Sequence, residues 1–131
     1  MTNPITVEIA PGELLDKLTI LEIKRERIED SEKLINVGLE LDVLDQARRE
    51  KVPASPELDA LYADLKTINE ELWEIEDDIR DCERDKDFGE RFIELARAVY
   101  KTNDRRAATK RAINELLGSR IVEEKSYADY E

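Results

Sequence analysis

Apolar residues recur through the middle of the chain at steps that alternate between three and four. The stripe begins at Leu58 and ends at Cys82, and no position is missing from it. This is the a/d pattern of a helix that packs one narrow face against another helix. The pattern predicts one long helix over residues 56–87. The stripe consists of Leu58, Leu61, Leu65, Ile68, Leu72, Ile75, Ile79 and Cys82.

An earlier stripe predicts another long helix, over residues 12–50. Pro11 and Glu13 stand at its start, where a proline and an acidic side chain are both favoured. Apolar residues follow at a period near 3.5 as far as Leu39, and beyond that point the register is lost. We therefore expect a stutter or a break in this helix near residues 36–38.

Turn and cap signals divide the rest of the chain. Residues 52–56 form the clearest turn, in which Ser55 is a good N-cap and Pro56 suits the first helical position. Asp87 and Glu90 have the spacing of a capping box. A second cap signal at residues 102–104 predicts two shorter helices over residues 88–118.

The two ends of the chain are predicted to be extended. Residues 1–10 form an arm in which apolar and polar side chains alternate over residues 5–9, as in a strand. Residues 119–131 form a C-terminal tail. The only candidate partner for the first strand is the stretch 120–122, so a small two-stranded ribbon is one interpretation.

Charges beside the stripes favour an antiparallel helical hairpin over a parallel homodimer through the same seam. Lys17 and Lys24 flank the first stripe, and folding about the turn brings Lys24 close to Asp78 or Asp85. Each exposed pair of this kind contributes only ~0.3–0.5 kcal/mol, but it specifies the register. The acidic flank of the second stripe is made of Glu57, Asp64, Glu71, Asp78 and Asp85.

The opposite flank of the hairpin sets carboxylates against carboxylates, which is destabilising unless a counter-charge covers them. These acids are Glu22, Glu29, Glu76 and Glu83. One interpretation is that the last helix docks on them by its basic face. Another is that they bind a divalent cation through their oxygen atoms, and a third is that they are solvated. The basic residues are Lys101, Arg105, Arg106, Lys110 and Arg111.

Composition narrows the function classes. The 131 residues carry a net charge of −12, which argues against binding of nucleic acid or of an anionic membrane. Histidine is absent, so histidine bases, triads and metal ligands are excluded. Without a long apolar run or a signal-like start, the chain is expected to be cytoplasmic.

Three weaker patterns carry candidate chemistry. The stretches 26–29 and 74–77 match the Glu-x-x-Glu and Glu-x-x-Asp motifs by which all-α nucleotide pyrophosphohydrolases bind Mg²⁺, but Asp77 points away from the seam. A helical chorismate mutase needs a basic pocket, for which residues 24–27 offer few cations. The basic cluster beside a predicted helix start could instead bind an anion or a partner.

Trp73 lies just outside the seam, where C-terminal helices or a partner could cover it.

Two segments carry a resemblance to a known family. Residues 12–24, GELLDKLTILEIK, and the end of the chain, with residues 103–111 and the EEKSY sequence of residues 123–127, resemble short uncharacterised bacterial and phage proteins. The resemblance covers nearly the whole chain and implies one small domain of unknown function. It transfers no catalytic residues. It does draw attention to the segment 123–127 and to Asp16, Lys17, Glu22 and Lys24.

Together these observations predict an all-α domain over residues 1–131, with a long coiled-coil-like hairpin, two shorter helices and extended ends. The predicted function is a non-enzymatic interaction or scaffold protein that forms a homodimer. No cofactor is expected, although Mg²⁺ or another divalent cation is the alternative. The competing class is a Mg²⁺-dependent all-α hydrolase that acts on a nucleotide or another phosphorylated small molecule.

Overall fold

Four α-helices make up the computed structural model, which describes residues 2–131. They are α1 (Pro11–Arg27), α2 (Ser31–Lys51), α3 (Pro56–Arg84) and α4 (Glu90–Leu116). Residues 2–131 contain no β-strand, so the predicted all-α class is confirmed. The predicted arm includes Met1, which lies outside the described residues.

Several helix ends follow the local signals in the sequence. Pro11 is the first residue of α1, and Pro56 is the first residue of α3. The Ser55 hydroxyl accepts a hydrogen bond from the backbone N–H of Leu58 at 3.1 Å, which satisfies one free donor of the α3 terminus. Gly118, just after α4, has a φ of +63°, the left-handed conformation that glycine adopts easily.

The first predicted helix, over residues 12–50, is two helices, and the predicted position of the break is wrong. α1 ends at Arg27 and the chain becomes extended at Ile28. The Asp30 carboxylate then caps α2 by accepting hydrogen bonds from the backbone N–H groups of Glu32 and Lys33. A strong N-cap therefore outweighs the continuous apolar period, while Gly38 lies within α2 and is tolerated there.

The two shorter C-terminal helices are one continuous helix, α4. Thr102 is buried at the centre of α4, and the carboxylate of Asp104 binds Lys125 and does not cap a helix. The predicted capping box also fails to form, because the N-cap is Gly89. The carboxylate of Asp87 accepts a hydrogen bond from the N–H of Gly89 at 3.1 Å and shapes the turn before the helix.

The helix packing also differs from the predicted long hairpin. α1 is the central helix and packs against the other three, whereas α3 and α4 form an antiparallel pair across the turn at residues 85–89. Within residues 2–131 the backbones of α2 and α3 do not approach each other. Long side chains span the gap, and the guanidinium of Arg48 lies 5.6 Å from the ring centre of Tyr62.

The predicted charge register is wrong for the same reason. Asp78 lies near Arg91 of α4, with 3.7 Å between the charged atoms, and it does not pair with Lys24. Ion-pair contacts join α1 to α3. The ammonium of Lys66 lies 2.8 Å from a carboxylate oxygen of Glu26, and the guanidinium of Arg27 lies 3.5 Å from a carboxylate oxygen of Glu74. The predicted register required residues 12–50 to run in one direction apart from a local stutter or break near residues 36–38, whereas the chain reverses after Arg27.

The stripe on α3 is buried or half-buried along its length, and both α1 and α4 pack against this helix. Leu65 and Cys82 are completely buried, and Leu58 and Ile68 are nearly so. The other four members are half-buried: Leu61, Leu72, Ile75 and Ile79. The apolar core brings the early part of this stripe together with leucines of α1 and with Val37 and Leu41 of α2.

The predicted ribbon between the chain ends is absent from residues 2–131. The two segments are nevertheless neighbours, because the guanidinium of Arg120 pairs with the carboxylate of Glu8. Ile5 and Val7 remain 90% and 70% exposed. Among residues 2–131 no helix is both long enough and apolar enough to cross a membrane.

Candidate functional site

A buried polar cluster joins three of the four helices. Asp16 of α1 is 1% exposed, and its carboxylate binds the guanidinium of Arg106 in α4 through two contacts of 2.9 and 2.5 Å. The side-chain amide of Asn69 in α3 donates to the same carboxylate at 2.9 Å and to the Thr19 hydroxyl at 2.8 Å. A charge this deeply buried is stable only when its oxygens are paired, and here they are.

A close approach of two backbones fixes α1 against α4 next to this cluster. The N–H of Gly12 donates to the side-chain oxygen of Asn114 at 2.7 Å. A Cβ at position 12 would lie 2.5 Å from the carbonyl oxygen of Lys110 and 2.8 Å from that Asn114 oxygen. Only glycine fits at this contact, because any side chain would force the helices apart.

Lys110 lies between two carboxylates beside the cluster. Its ammonium donates to Glu13 of α1 at 2.7 Å and to Glu123 of the C-terminal tail at 3.0 Å. Burial alone lowers the pKa of this lysine, but the two carboxylates outweigh burial and the pKa lies above its ordinary value. The pKa of the Arg106 guanidinium is likewise raised, chiefly by its hydrogen bonds to Asp16. Both cations therefore stay charged.

The C-terminal tail lies along α4 through polar and aromatic contacts. Glu124 accepts from Arg111 at 3.4 Å, and Lys125 donates to Asp104 at 2.5 Å. Farther along, the ring of Tyr130 lies 5.2 Å from the ring of Tyr100. The bonds from Lys125 and Tyr130 lower the pKa of the Asp104 carboxyl.

The tail, α4 and Glu13 enclose an open cleft of about 1030 Å³. Its walls carry charges of both signs, with Arg106 and Lys110 next to Glu13 and Asp104. Tyrosine rings line the other end. The tail forms one wall of this cleft, and its carboxylates and aromatic ring match the cations and the tyrosine that α4 presents on the other.

The five predicted basic residues lie in different surroundings along α4. Arg106 and Lys110 line the cleft, and Arg111 reaches the tail from beside it. Arg105 faces α3, where it contacts a carboxylate oxygen of Glu71 at 2.7 Å. Lys101 is exposed and has no ion-pair partner within residues 2–131.

The basic helix does dock on acidic residues of the chain, but the predicted partners are wrong. Instead of the four predicted glutamates, α4 meets Glu13 and Asp16 of α1 and Glu71 of α3. The prediction placed the helix against the wrong flank because it assumed the long hairpin. The antiparallel contact between α1 and α4 begins at Gly12, a contact that charge patterning does not reveal.

The predicted acidic flank is dispersed. Glu22 lies 3.9 Å from the ammonium of Lys66, and Glu76 pairs with Arg80 one turn away. Glu29 and Glu83 are exposed. In the part of the chain that the structure describes, no group of three or more acidic or cysteine side chains could share a cation.

Trp73, the predicted interface residue, is half-buried on α3. Sequence reasoning missed two buried members of the polar cluster, Thr19 and Asn69, and the neighbouring buried Asn114. Two signals could have found them: a glycine directly after the helix-opening proline, and an asparagine beside an otherwise apolar stripe. Asp16 and the tail were singled out only through the family resemblance.

One family model matches nearly the whole chain. It is the model of the family of unknown function DUF6165, and it matches residues 5–130. No curated protein and no solved structure matches the chain. The match confirms that the chain is an uncharacterised domain.

Proposed function

Since the chain belongs to DUF6165, a family of unknown function, we propose from its contacts that it is a non-enzymatic protein-interaction module. The α4 side of the cleft binds an acidic, aromatic peptide segment in place of the tail, which forms the opposite side. The observation that carries the proposal is that the chain's own tail occupies α4 in this way, with an irregular backbone and specific side-chain contacts. The tail thus acts as an internal model of the ligand.

The contacts of the tail define the ligand that the cleft prefers. Two consecutive acids, Glu123 and Glu124, reach Lys110 and Arg111. The next residue, Lys125, reaches an acid on α4, and five residues later an aromatic ring packs at a tilt against Tyr100. A partner segment with the order acid, acid, base and then an aromatic residue would reproduce each contact.

The energetics allow the tail to be replaced. All residues of the tail beyond Ile121 are exposed, and its pairs with Arg111 and Asp104 are exposed ion pairs, which contribute about 0–1 kcal/mol each. The buried pair between Asp16 and Arg106 lies beneath the cleft and does not depend on the tail. Release of the tail therefore leaves the helices in place and opens one side of Lys110 and of Arg111 to a partner, while Glu13 and Glu115 remain their neighbours.

A Mg²⁺-dependent hydrolase is the less favoured alternative. Such an enzyme needs several carboxylates that converge on one cation, and residues 2–131 contain no such group. The proposed partner is a protein, and a homodimer of this chain is the arrangement we expect. The bacterial or phage origin and the cytoplasmic location also remain predictions.

A peptide titration tests the cleft. A fluorescent peptide with the sequence of residues 119–131 is titrated into the full-length chain and into the double variant Glu123→Ala/Glu124→Ala. Because a tethered tail competes at an effective concentration on the order of 1 mM, we expect the double variant to bind the peptide at least tenfold more tightly. A variant with Glu90→Ala/Glu94→Ala, which removes two acids outside the tail, is expected to bind like the original chain.

Specificity is tested by a scrambled peptide of the same composition and by Arg111→Glu in the opened variant. Each is expected to weaken binding at least tenfold. If the scrambled peptide binds equally well, or if removal of the two tail acids does not improve binding, the cleft is not a peptide site. Light scattering on the full chain tests the homodimer separately.

A further inference from the structure

The outer face of α2 carries an apolar ridge that nothing in the described chain covers. Ile35, Leu39 and Val43 recur every four residues, and they are 64%, 63% and 67% exposed. On the opposite face of α2, Val37 and Leu41 are buried against the core. The helix is thus apolar on two faces, whereas a helix at the surface of a domain needs only one such face.

Acidic side chains flank this ridge on both sides. At 3.6 residues per turn, Glu40 lies on one side of Leu39 and Asp42 lies on the other. Both are exposed, and neither has an ion-pair partner within residues 2–131, although Asp45 on the same helix pairs with Arg48. The uncovered ridge therefore has a negative border that the fold does not neutralise.

Gly38 supplies a second, independent observation beside the ridge. Glycine in a helix interior destabilises the fold relative to alanine, so it is expected where the backbone needs space. Yet a Cβ at position 38 would meet nothing within 4 Å, in contrast to Gly12, where the same atom would collide with α4. No contact within the chain explains Gly38, whereas close approach of another helix would.

We propose that the α2 ridge, defined by Ile35, Leu39 and Val43, docks an amphipathic helix of a partner protein whose apolar stripe is bordered by lysine or arginine. This surface is separate from the proposed peptide cleft. Side chains in an i, i+4, i+8 row interdigitate with the same row of another helix at a crossing angle near −50°. The basic border of the partner meets Glu40 and Asp42, and Gly38 allows its backbone to come close.

A second copy of the chain fits this ridge less well. If two α2 helices crossed symmetrically at Leu39, Glu40 of one protomer would lie close to its own copy in the other. Like charges so placed oppose association. The same negative border disfavours an anionic membrane. Charge complementarity thus selects a cationic helix.

Two designed helical peptides serve as probes for the full-length chain. Both carry the same leucine stripe, bordered by lysine in one and by glutamate in the other. We expect the lysine-bordered peptide to bind at least tenfold more tightly, as measured by fluorescence anisotropy. In the variant Glu40→Lys/Asp42→Lys, this order of affinity is expected to reverse.

Matched variants separate this surface from the general acidity of the protein. Asp77→Lys/Glu94→Lys makes the same change in net charge on exposed acids of α3 and α4 and is expected to preserve the preference for the lysine-bordered peptide. Leu39→Asn is expected to weaken binding of that peptide at least tenfold, whereas Ile93→Asn on α4 leaves it unchanged. Thermal unfolding verifies that each variant remains folded.

Gly38→Ala distinguishes a binding role from a structural one. We expect it to raise Tm by a few degrees because alanine favours the helix, and at the same time to weaken peptide binding. The proposal is overturned if the lysine-bordered peptide does not bind, or if both lysine double variants change its binding equally. It is also overturned if light scattering finds a doubled mass that Leu39→Asn returns to that of a monomer, since a second copy would then occupy the ridge.

Discussion

α1 is held by different kinds of interaction on its two sides. Toward α4 and α3 its apolar packing is joined by polar, directional contacts, which are the paired Asp16 carboxylate and the close approach of Gly12. Toward α2 no ion pair or side-chain hydrogen bond occurs within residues 2–131, and the contact is the apolar cluster with Val37 and Leu41. The polar contacts therefore determine where α4 and the cleft lie. The apolar contact with α2 contributes stability but allows small displacements of that helix.

The largest effect is expected from Asp16→Ala. This change leaves the Arg106 guanidinium and the Asn69 amide without their buried acceptor, and breaking a buried pair by removing one partner costs about 3–5 kcal/mol. Glu71→Ala is the matched control, because Glu71 pairs with the neighbouring Arg105 at an exposed site. Its expected cost is below about 1 kcal/mol. Urea unfolding measures the free energy of unfolding of both variants. Equal losses would show that the buried cluster contributes no more stability than an exposed ion pair.

On the apolar side, Leu41→Ala is expected to destabilise the chain by about 2–4 kcal/mol through the cavity it leaves. Leu39→Ala removes the same atoms from a side chain that is 63% exposed, where Leu41 is only 9% exposed. Its expected effect is below about 0.5 kcal/mol. The two substitutions lie on opposite faces of one helix, so similar losses in urea unfolding would contradict the orientation of α2.

Two glycine substitutions are expected to act in opposite directions. Gly12→Ala forces α1 away from α4 and costs about 1–3 kcal/mol, as overpacking of a close contact does. Gly38→Ala meets no atom and is expected to stabilise α2 by about 0.5–1 kcal/mol. Thermal unfolding shows whether each variant has a lower or a higher Tm than the original chain. A destabilised Gly38→Ala variant would mean that a conformational requirement, and not a partner, explains this glycine.

The smallest expected effect is the pH dependence of the stability that Asp104 gains from its contacts with the tail. Since Lys125 and Tyr130 lower the pKa of Asp104, ionised Asp104 stabilises the folded state with its tail in place. This contribution is present above the ordinary carboxyl value of 3.8 and is lost as the pH falls through the lower folded value. The Tm difference between the original chain and Asp104→Asn is therefore expected to be constant near neutral pH and to vanish in acid. A difference that persists in strong acid would contradict the contact.

The sequence predicted local features of this fold better than its packing. The stripe from Leu58 to Cys82 and the cap at Ser55 depend on neighbouring residues, and both appear as expected. The reversal after Arg27 was missed because the Asp30 cap competes with an apolar period that continues past it. The cleft could not be predicted, since it depends on the pairing of Asp16 with Arg106, ninety positions apart in the chain.

The central claim is that the C-terminal tail is bound along α4 in the manner of a ligand, and backbone ¹⁵N relaxation tests it most directly. For a bound tail, the amides of residues 123–130 are expected to have order parameters approaching the ~0.85 of a rigid backbone. In Glu123→Ala/Glu124→Ala they are expected to fall below ~0.6, while those of α4 stay high. Order parameters below ~0.6 throughout the tail of the original chain would contradict the account.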